Sequence, residues 1–241
     1  MSNLLRLLVI VLLLTVTAAL PNRAKAAPPS ADTVSPATRV LQVQKKYQQL
    51  RSLEFDFAQT TQTGGRIKQG SGHATFYRSA KTTSDGAGIM RWNYSEPIAQ
   101  IIINDGKELS VYTPQDKQLL VSPVQDLESD ITYAIFTGTK GLLDEFAVSA
   151  ADALFLLNTP PAALDAVLLI PREPHPQVKR IQRWLNADHT LHRLLMEDHF
   201  GALTELTFSQ VRFNTLPAND PRLVRSLLQL DLAPGTEIIR Q

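Results

Sequence analysis

Residues 90–114, MRWNYSEPIAQIIINDGKELSVYTP, leave the backbone little choice. Met90, Trp92 and Tyr94 alternate with Arg91 and Asn93, the period of two that puts apolar side chains on one face of a strand. Ser95-Glu96-Pro97 ends that run, because proline lacks the N–H a ladder needs and restricts the residue before it. Residues 100–103 form an isoleucine-rich segment, and Asn104-Asp105-Gly106 supplies the Asp-Gly pair of a tight hairpin, where glycine tolerates positive φ. Leu109, Val111 and Thr113 then alternate with Ser110 and Tyr112 on the return strand. The pattern predicts three short antiparallel strands with aromatic and branched residues on one side.

The same alternation recurs along the chain. Residues 53–61 carry Leu53, Phe55 and Phe57 on one face, Gly64-Gly65 turns the chain, and residues 68–78 return with Gly70 and Gly72 inside the strand. Glycine within a strand permits a bulge or sharp curvature. Further strands are expected over 117–121, 167–170, 178–186, 191–196, 203–213 and 227–232. Ser35-Pro36 reads as an N-cap followed by proline at the first helical position, opening a helix over 36–50 whose Val40, Val43, Tyr47 and Leu50 need a surface to lie on. A short helix is expected over 130–137, stopped by Gly138, and Leu142, Leu143 and Phe146 suggest a second small helical or turn element. Residues 148–166, with Pro160-Pro161 in the middle, leave helix and loop both open. The sum is one α+β domain over 36–241: a strongly curved antiparallel sheet, an incomplete β-barrel, with helices covering its concave face.

The N-terminus has the physical marks of a signal peptide over residues 1–26. Arg6 precedes an unbroken apolar run over residues 7–14, and Ala24-Lys25-Ala26 is a small-x-small cleavage site. A Pro/Ser/Ala-rich leader over 27–35 is expected to be flexible. Removing residues 1–26 takes away Arg6, Arg23 and Lys25 and no acid, which moves the formal net charge from +1 to −2. That balance offers nothing to nucleic acid and little pull toward anionic lipid. The chain has no cysteine, so disulfides, thiolate metal sites and a lipidated cysteine are all excluded. Export is the expected fate of a chain with this leader.

Catalytic chemistry finds no foothold. There is no G-x-S-x-G elbow, no phosphate loop and no dinucleotide fingerprint. His189 and His192 flank a turn at a spacing that sends strand side chains to opposite faces, so no metal site is expected from them. Asp126, Glu128 and Asp130 suit helix capping better than acid–base work. We therefore expect no enzyme, no cofactor and no metal, but a binding protein or an envelope scaffold. Phe55, Phe57, Phe76, Trp92, Tyr94, Ile102, Leu109 and Val111 are the candidates to face an apolar cavity under the first helix. The competing reading is that they fill a solid core, which is the norm in protein interiors.

RWNY followed by EP, then IIINDGKEL, then VYTP with Gln118 just beyond, resembles the periplasmic lipoprotein carrier (LolA-like) family. F-x-Q before a turn and SG, the D-x-x-G turn at residues 198–201, and the closing APGTEII extend the likeness. The chain departs from the family at residues 79–88, where SAKTTSDGAG replaces a short Pro-Gly connection. The resemblance implies a monomeric carrier that takes lipoproteins from an inner-membrane ABC transporter, shields their acyl chains, and delivers them to an outer-membrane acceptor. It also implies a latch role for Arg78, at the end of the second strand, in holding the lid closed. A related lipid- or glycolipid-binding or envelope-sensing protein on the same fold is the alternative.

Overall fold

The computed structural model describes residues 34–78, 88–123, 141–161 and 164–241. The signal peptide, residues 27–33 of the leader, the expected helix over 130–137, and residues 79–87 of the unusual connection lie outside them, as do Asp126, Glu128 and Asp130.

Helix α1, Pro36–Gln48, starts where the sequence says. The Ser35 side chain accepts a hydrogen bond from the Thr38 N–H at 3.1 Å, and proline occupies the first turn, where its missing N–H costs nothing. Its buried residues, Val40, Val43 and Tyr47, recur at helical spacing.

Six strands follow: β1 (Ser52–Thr63), β2 (Arg66–Tyr77), β3 (Ile89–Glu96), β4 (Gln100–Asn104), β5 (Glu108–Thr113) and β6 (Gln118–Pro123). A four-residue helix α2 (Leu142–Glu145) leads into β7 (Phe146–Ala150). Then come β8 (Asp165–Pro171), β9 (Arg180–Leu185), β10 (Leu191–Glu197), β11 (Leu203–Phe213), helix α3 (Pro221–Leu228) and β12 (Glu237–Arg240). All twelve strands form one sheet in the order β12-β6-β5-β4-β3-β2-β1-β11-β10-β9-β8-β7. The sheet is unclosed, with β12 and β7 at its edges.

The sheet curves, and α1 shows why it must. The Leu142 N–H beside β7 donates to Gln44 Oε1 of α1, while Arg78, just past β2, donates to the Gln48 carbonyl one turn further along that helix. Six strand spacings separate β7 from β2, about 29 Å in a flat sheet, whereas 13 residues of helix span about 20 Å. Curling brings both strands within reach. The face carrying α1 is the concave one.

Register assigns every strand residue to a face. Phe55 stands opposite Ala74, Phe57 opposite Gly72, Phe76 opposite Met90, and Trp92 opposite both Ala74 and Ile102. Ile102 in turn faces Val111, and Asn104 faces Leu109. All eight cavity candidates therefore lie on the concave face, as their alternation predicts.

Two parts of the chain differ from the sequence reading. Residues 227–232 were expected to be a strand, but residues through Leu228 complete α3, capped by Asp220, whose carboxylate accepts from the Arg222 N–H at 2.8 Å. Asp220-Pro221 is a helix-start signal that outweighs the β-branched and leucine content after it. Strand structure resumes only at β12, which pairs parallel to β6 and is the exception to an otherwise antiparallel sheet. The second part is 148–166, where β7 pairs with β8 and the described residues between them are irregular rather than helical.

The convex face is covered as well. Tyr77 and Ile89, which alternate with Phe76 and Met90, pack under Leu216, Leu223, Val224 and Leu227 of the α3 region. At the end of α3, Arg91 donates to the Leu227 and Gln229 carbonyls at 2.9 and 2.8 Å, and Leu230 packs on Tyr112, Leu119 and Val121. Residues 214–236 thus strap the convex face from β1 to β6. On the other wing, Phe155 packs with Leu168, Trp184 and Leu195, and the Arg180 guanidinium lies 3.9 Å from its ring centre.

Candidate functional site

The concave face divides into two stretches. Under α1, Val167, Leu169, Ile181, Leu194, Leu53 and Val43 form a closed core. Polar bonds fasten α1 there: Arg39 pairs with Asp165 at 2.8 Å, Lys46 Nζ reaches the Asp188 carbonyl and carboxylate, and the Tyr47 hydroxyl accepts from the Leu191 N–H at 3.0 Å. Burial pushes the Tyr47 phenol up to about 12, against the pull of its Leu191 bond and the nearby Arg183 charge.

Arg183 is the anomaly of this stretch. It stands opposite Leu194 and Val167, has no exposed surface, and among the described residues its Nε and both Nη atoms have no hydrogen-bond partner. Burial brings its guanidinium down to about 10, partly offset by Tyr47, so it remains charged at neutral pH.

Away from α1 the face opens into a trough. A row of rings marks the transition: Phe55 meets Trp92 and Phe208 edge-on at 5.4 and 5.2 Å, and Phe57 meets Trp92 and Tyr94, both at 4.8 Å. Gly72 makes room for it: a Cβ there would lie 2.1 Å from the Asn93 carbonyl oxygen and 2.9 Å from the Phe57 ring, whereas one on Gly70 would crowd only the Glu96 carbonyl oxygen, at 3.1 Å. Beyond the rings, a cavity of about 260 Å³ is lined by Trp92, Ile102, Met196 and Leu206 with Gln59, Tyr94 and Thr204. A second, about 370 Å³, shares Gln59 and Tyr94 and continues past Thr61, Gln100 and Thr113 to Lys68, Glu96 and Asp116.

The sequence candidates therefore separate. Phe55, Phe57 and Phe76 are buried in the closed core, while Trp92, Tyr94, Ile102, Leu109 and Val111 are half-buried on the same face. Trp92, Tyr94 and Ile102 line the first cavity. Arg78 sits where β2 meets the end of α1, donating to the Gln48 carbonyl at 2.7 Å and the Leu50 carbonyl at 3.4 Å, its guanidinium 5.3 Å from the Phe76 ring centre. A cation at that end also complements the helix dipole. The sequence reading missed Gln59, Thr61, Met196, Thr204 and Leu206. The alternation Phe55-Phe57-Gln59-Thr61 carried the signal for the first two, on the same face beyond the aromatic run.

A family model described as outer membrane lipoprotein carrier protein LolA matches residues 48–220. The outer-membrane lipoprotein carrier protein of Methylobacillus flagellatus is 22% identical over 183 residues, 75% of this chain and 77% of that one. Its counterpart from Nitrosomonas europaea is 23% identical over 174 residues, 72% and 74% of the two chains. Among solved structures, an uncharacterized conserved protein from Thermus thermophilus shares the fold with a TM-score of 0.50 at 11% identity, over 85% of this chain and 99% of that one. With the family model spanning more than half of its length, this chain belongs to the LolA family of outer membrane lipoprotein carrier proteins.

Proposed function

We propose that this protein is a periplasmic carrier that holds lipoprotein acyl chains in the concave trough and ferries them from the inner to the outer membrane. It receives them from an inner-membrane lipoprotein-releasing ABC transporter and hands them to an outer-membrane acceptor. The observation that supports this most is the cavity lined by half-buried Trp92, Ile102 and Met196 with buried Leu206, beside a stretch of the same concave face that is closed under α1. Each acyl CH₂ moved there from water is worth about 0.8 kcal/mol. In this reading Phe55, Phe57 and Phe76 are the packed floor beside the trough, and Trp92, Tyr94, Ile102, Leu109 and Val111 its acyl-facing wall. Arg78 is the latch that keeps the end of α1 seated while the carrier is empty.

Release of a triacylated lipoprotein from spheroplasts tests the reading directly, with residues 27–241 added outside. A soluble one-to-one complex is the expected result; no release at any carrier concentration overturns it. Arg78→Leu is expected to change retention or hand-over of the cargo, and unchanged transfer removes Arg78 from the mechanism.

A further inference from the structure

The trough is not apolar throughout. A line of neutral hydrogen-bonding groups crosses it on five strands. Thr204 Oγ1 of β11 lies 3.3 Å from Thr61 Oγ1 of β1, Gln59 Nε2 donates to Thr61 at 3.3 Å, and the Tyr94 hydroxyl of β3 donates to Gln59 Oε1 at 2.9 Å. Gln100 Nε2 of β4 donates to Thr113 Oγ1 of β5 at 3.1 Å. The register puts all of them on the concave face, since Thr61 pairs with Thr204, Tyr94 with Gln100, and Thr113 lies two residues beyond Val111.

This strip lies where the two cavities meet. On one side stand Trp92, Ile102, Met196 and Leu206; on the other lies a more polar space whose charged lining is Lys68, Glu96 and Asp116. One cation against two carboxylates gives an anionic head no net attraction there. Amides and hydroxyls, in contrast, both donate and accept, so they can exchange their mutual bonds for bonds to a ligand without leaving a group unsatisfied.

From this juxtaposition we infer that the strip Thr204–Thr61–Gln59–Tyr94, continued by Gln100 and Thr113, seats the uncharged ester and amide linkages of an acylated peptide. The tails lie along the apolar wall and the peptide leaves over the polar end. The inference rests on the carrier reading and adds head-group selectivity to it: an acylated peptide N-terminus presents carbonyls and no charge, whereas the fatty acids and anionic phospholipids around it present an anion. The carrier is thereby kept from filling with membrane lipid.

Competition against a fluorescent monoacylglycerol tests this on the signal-cleaved protein. The competitors are a tripalmitoylated cysteinyl-serine amide, palmitate, and dipalmitoyl phosphatidylglycerol. The uncharged peptide is expected to compete at concentrations about tenfold below either anion. In the double variant Gln59→Leu/Thr61→Val that preference is expected to fall about tenfold, with competition by palmitate held within about twofold. Thr113→Val, at the far end of the strip, gives a smaller fall in the same direction and guards against a folding defect in the double variant. Preference for an anion, or a double variant that is folded and still selects the peptide, overturns the inference. If lipoprotein release from spheroplasts persists while this selectivity is absent, only the strip is refuted; if neither probe nor competitor binds, the carrier reading falls with it.

Discussion

The stretch of concave face under α1 and the trough beside it treat polar groups in opposite ways. Under α1, where Val167, Leu169, Ile181 and Leu194 exclude water, the guanidinium of Arg183 is buried and its side-chain donors have no partner among the described residues. In the trough, where Trp92 and Tyr94 keep part of their surface exposed, the strip Thr204–Thr61–Gln59–Tyr94 is neutral and its side chains are bonded to one another. A charge without an acceptor subtracts several kcal/mol from a fold, so the closed stretch must be held by its apolar contacts and by the bonds at the rim of α1. Neutral groups that satisfy each other cost little, so the trough can stay folded without a ligand and still offer one a partner. Burial maintains the first; the second is arranged for exchange.

The most damaging way to break that contrast is to empty the closed side. Phe55→Ala removes a buried ring from between Trp92 and Phe208, and a loss of about 3–5 kcal/mol in urea unfolding is expected. A loss below about 1 kcal/mol shows that the rings are not packed there in solution. Arg183→Met acts in the other direction. Replacing the lone charge by an apolar chain of similar length is expected to stabilise by about 1–4 kcal/mol, which raises Tm by about 2–4 °C for each kcal/mol. A calorimetric fall in Tm shows instead that the guanidinium has found an acceptor.

How far the sequence reveals this division depends on what each residue reports. Alternation announces which face a residue occupies, and it places Phe55, Trp92, Ile102, Leu109 and Val111 together across four strands. It is silent on whether that face is covered. Phe55 and Trp92 have the same hydropathic sense, yet one is sealed and the other borders a cavity, because coverage depends on where α1 comes to rest, which is set by contacts as distant in sequence as Lys46 with Asp188. Arg183 carries only an ambiguous mark: in R-I-Q-R-W-L period two sets it with Ile181 and Leu185 but sets Gln182 with Trp184, and the pairing with Leu194 and Val167 decides that it turns inward. The tail misled for a different reason. Leu227, Leu228 and Leu230 look strand-like until Asp220-Pro221 is allowed to start a helix, and β12 adds to β6 through a parallel register that no hairpin signal announces.

A gentler substitution sharpens the comparison from the open side. Ile102 is half-buried and lines the first cavity, so Ile102→Ala is expected to cost only about 1–2 kcal/mol, less than a sealed residue of the same size. It should weaken acyl-probe binding several-fold, while Leu169→Ala, sealed under α1, should cost more stability and leave binding to the folded fraction unchanged. Equal losses of binding in both variants erase the distinction between wall and core.

The smallest effect concerns the rim of α1. Burial pushes the Asp188 carboxyl up, but the bonds from Thr190 and Lys46 outweigh it and hold it below its usual 3.8. A carboxyl lowered in the folded state adds stability that is present above the unfolded value and is lost as pH falls through the folded one. Asp188 is more than half exposed, so solvent screening limits the contribution to below about 1 kcal/mol. Melting curves of the protein and of Asp188→Asn should therefore differ slightly at neutral pH and converge as pH falls below 3.8. Salt should narrow the neutral-pH gap as well. A gap that persists at acid pH means that Asp188 acts through its hydrogen bonds to the 186–190 turn, and the charge on Lys46 then does nothing to keep α1 seated over the closed stretch.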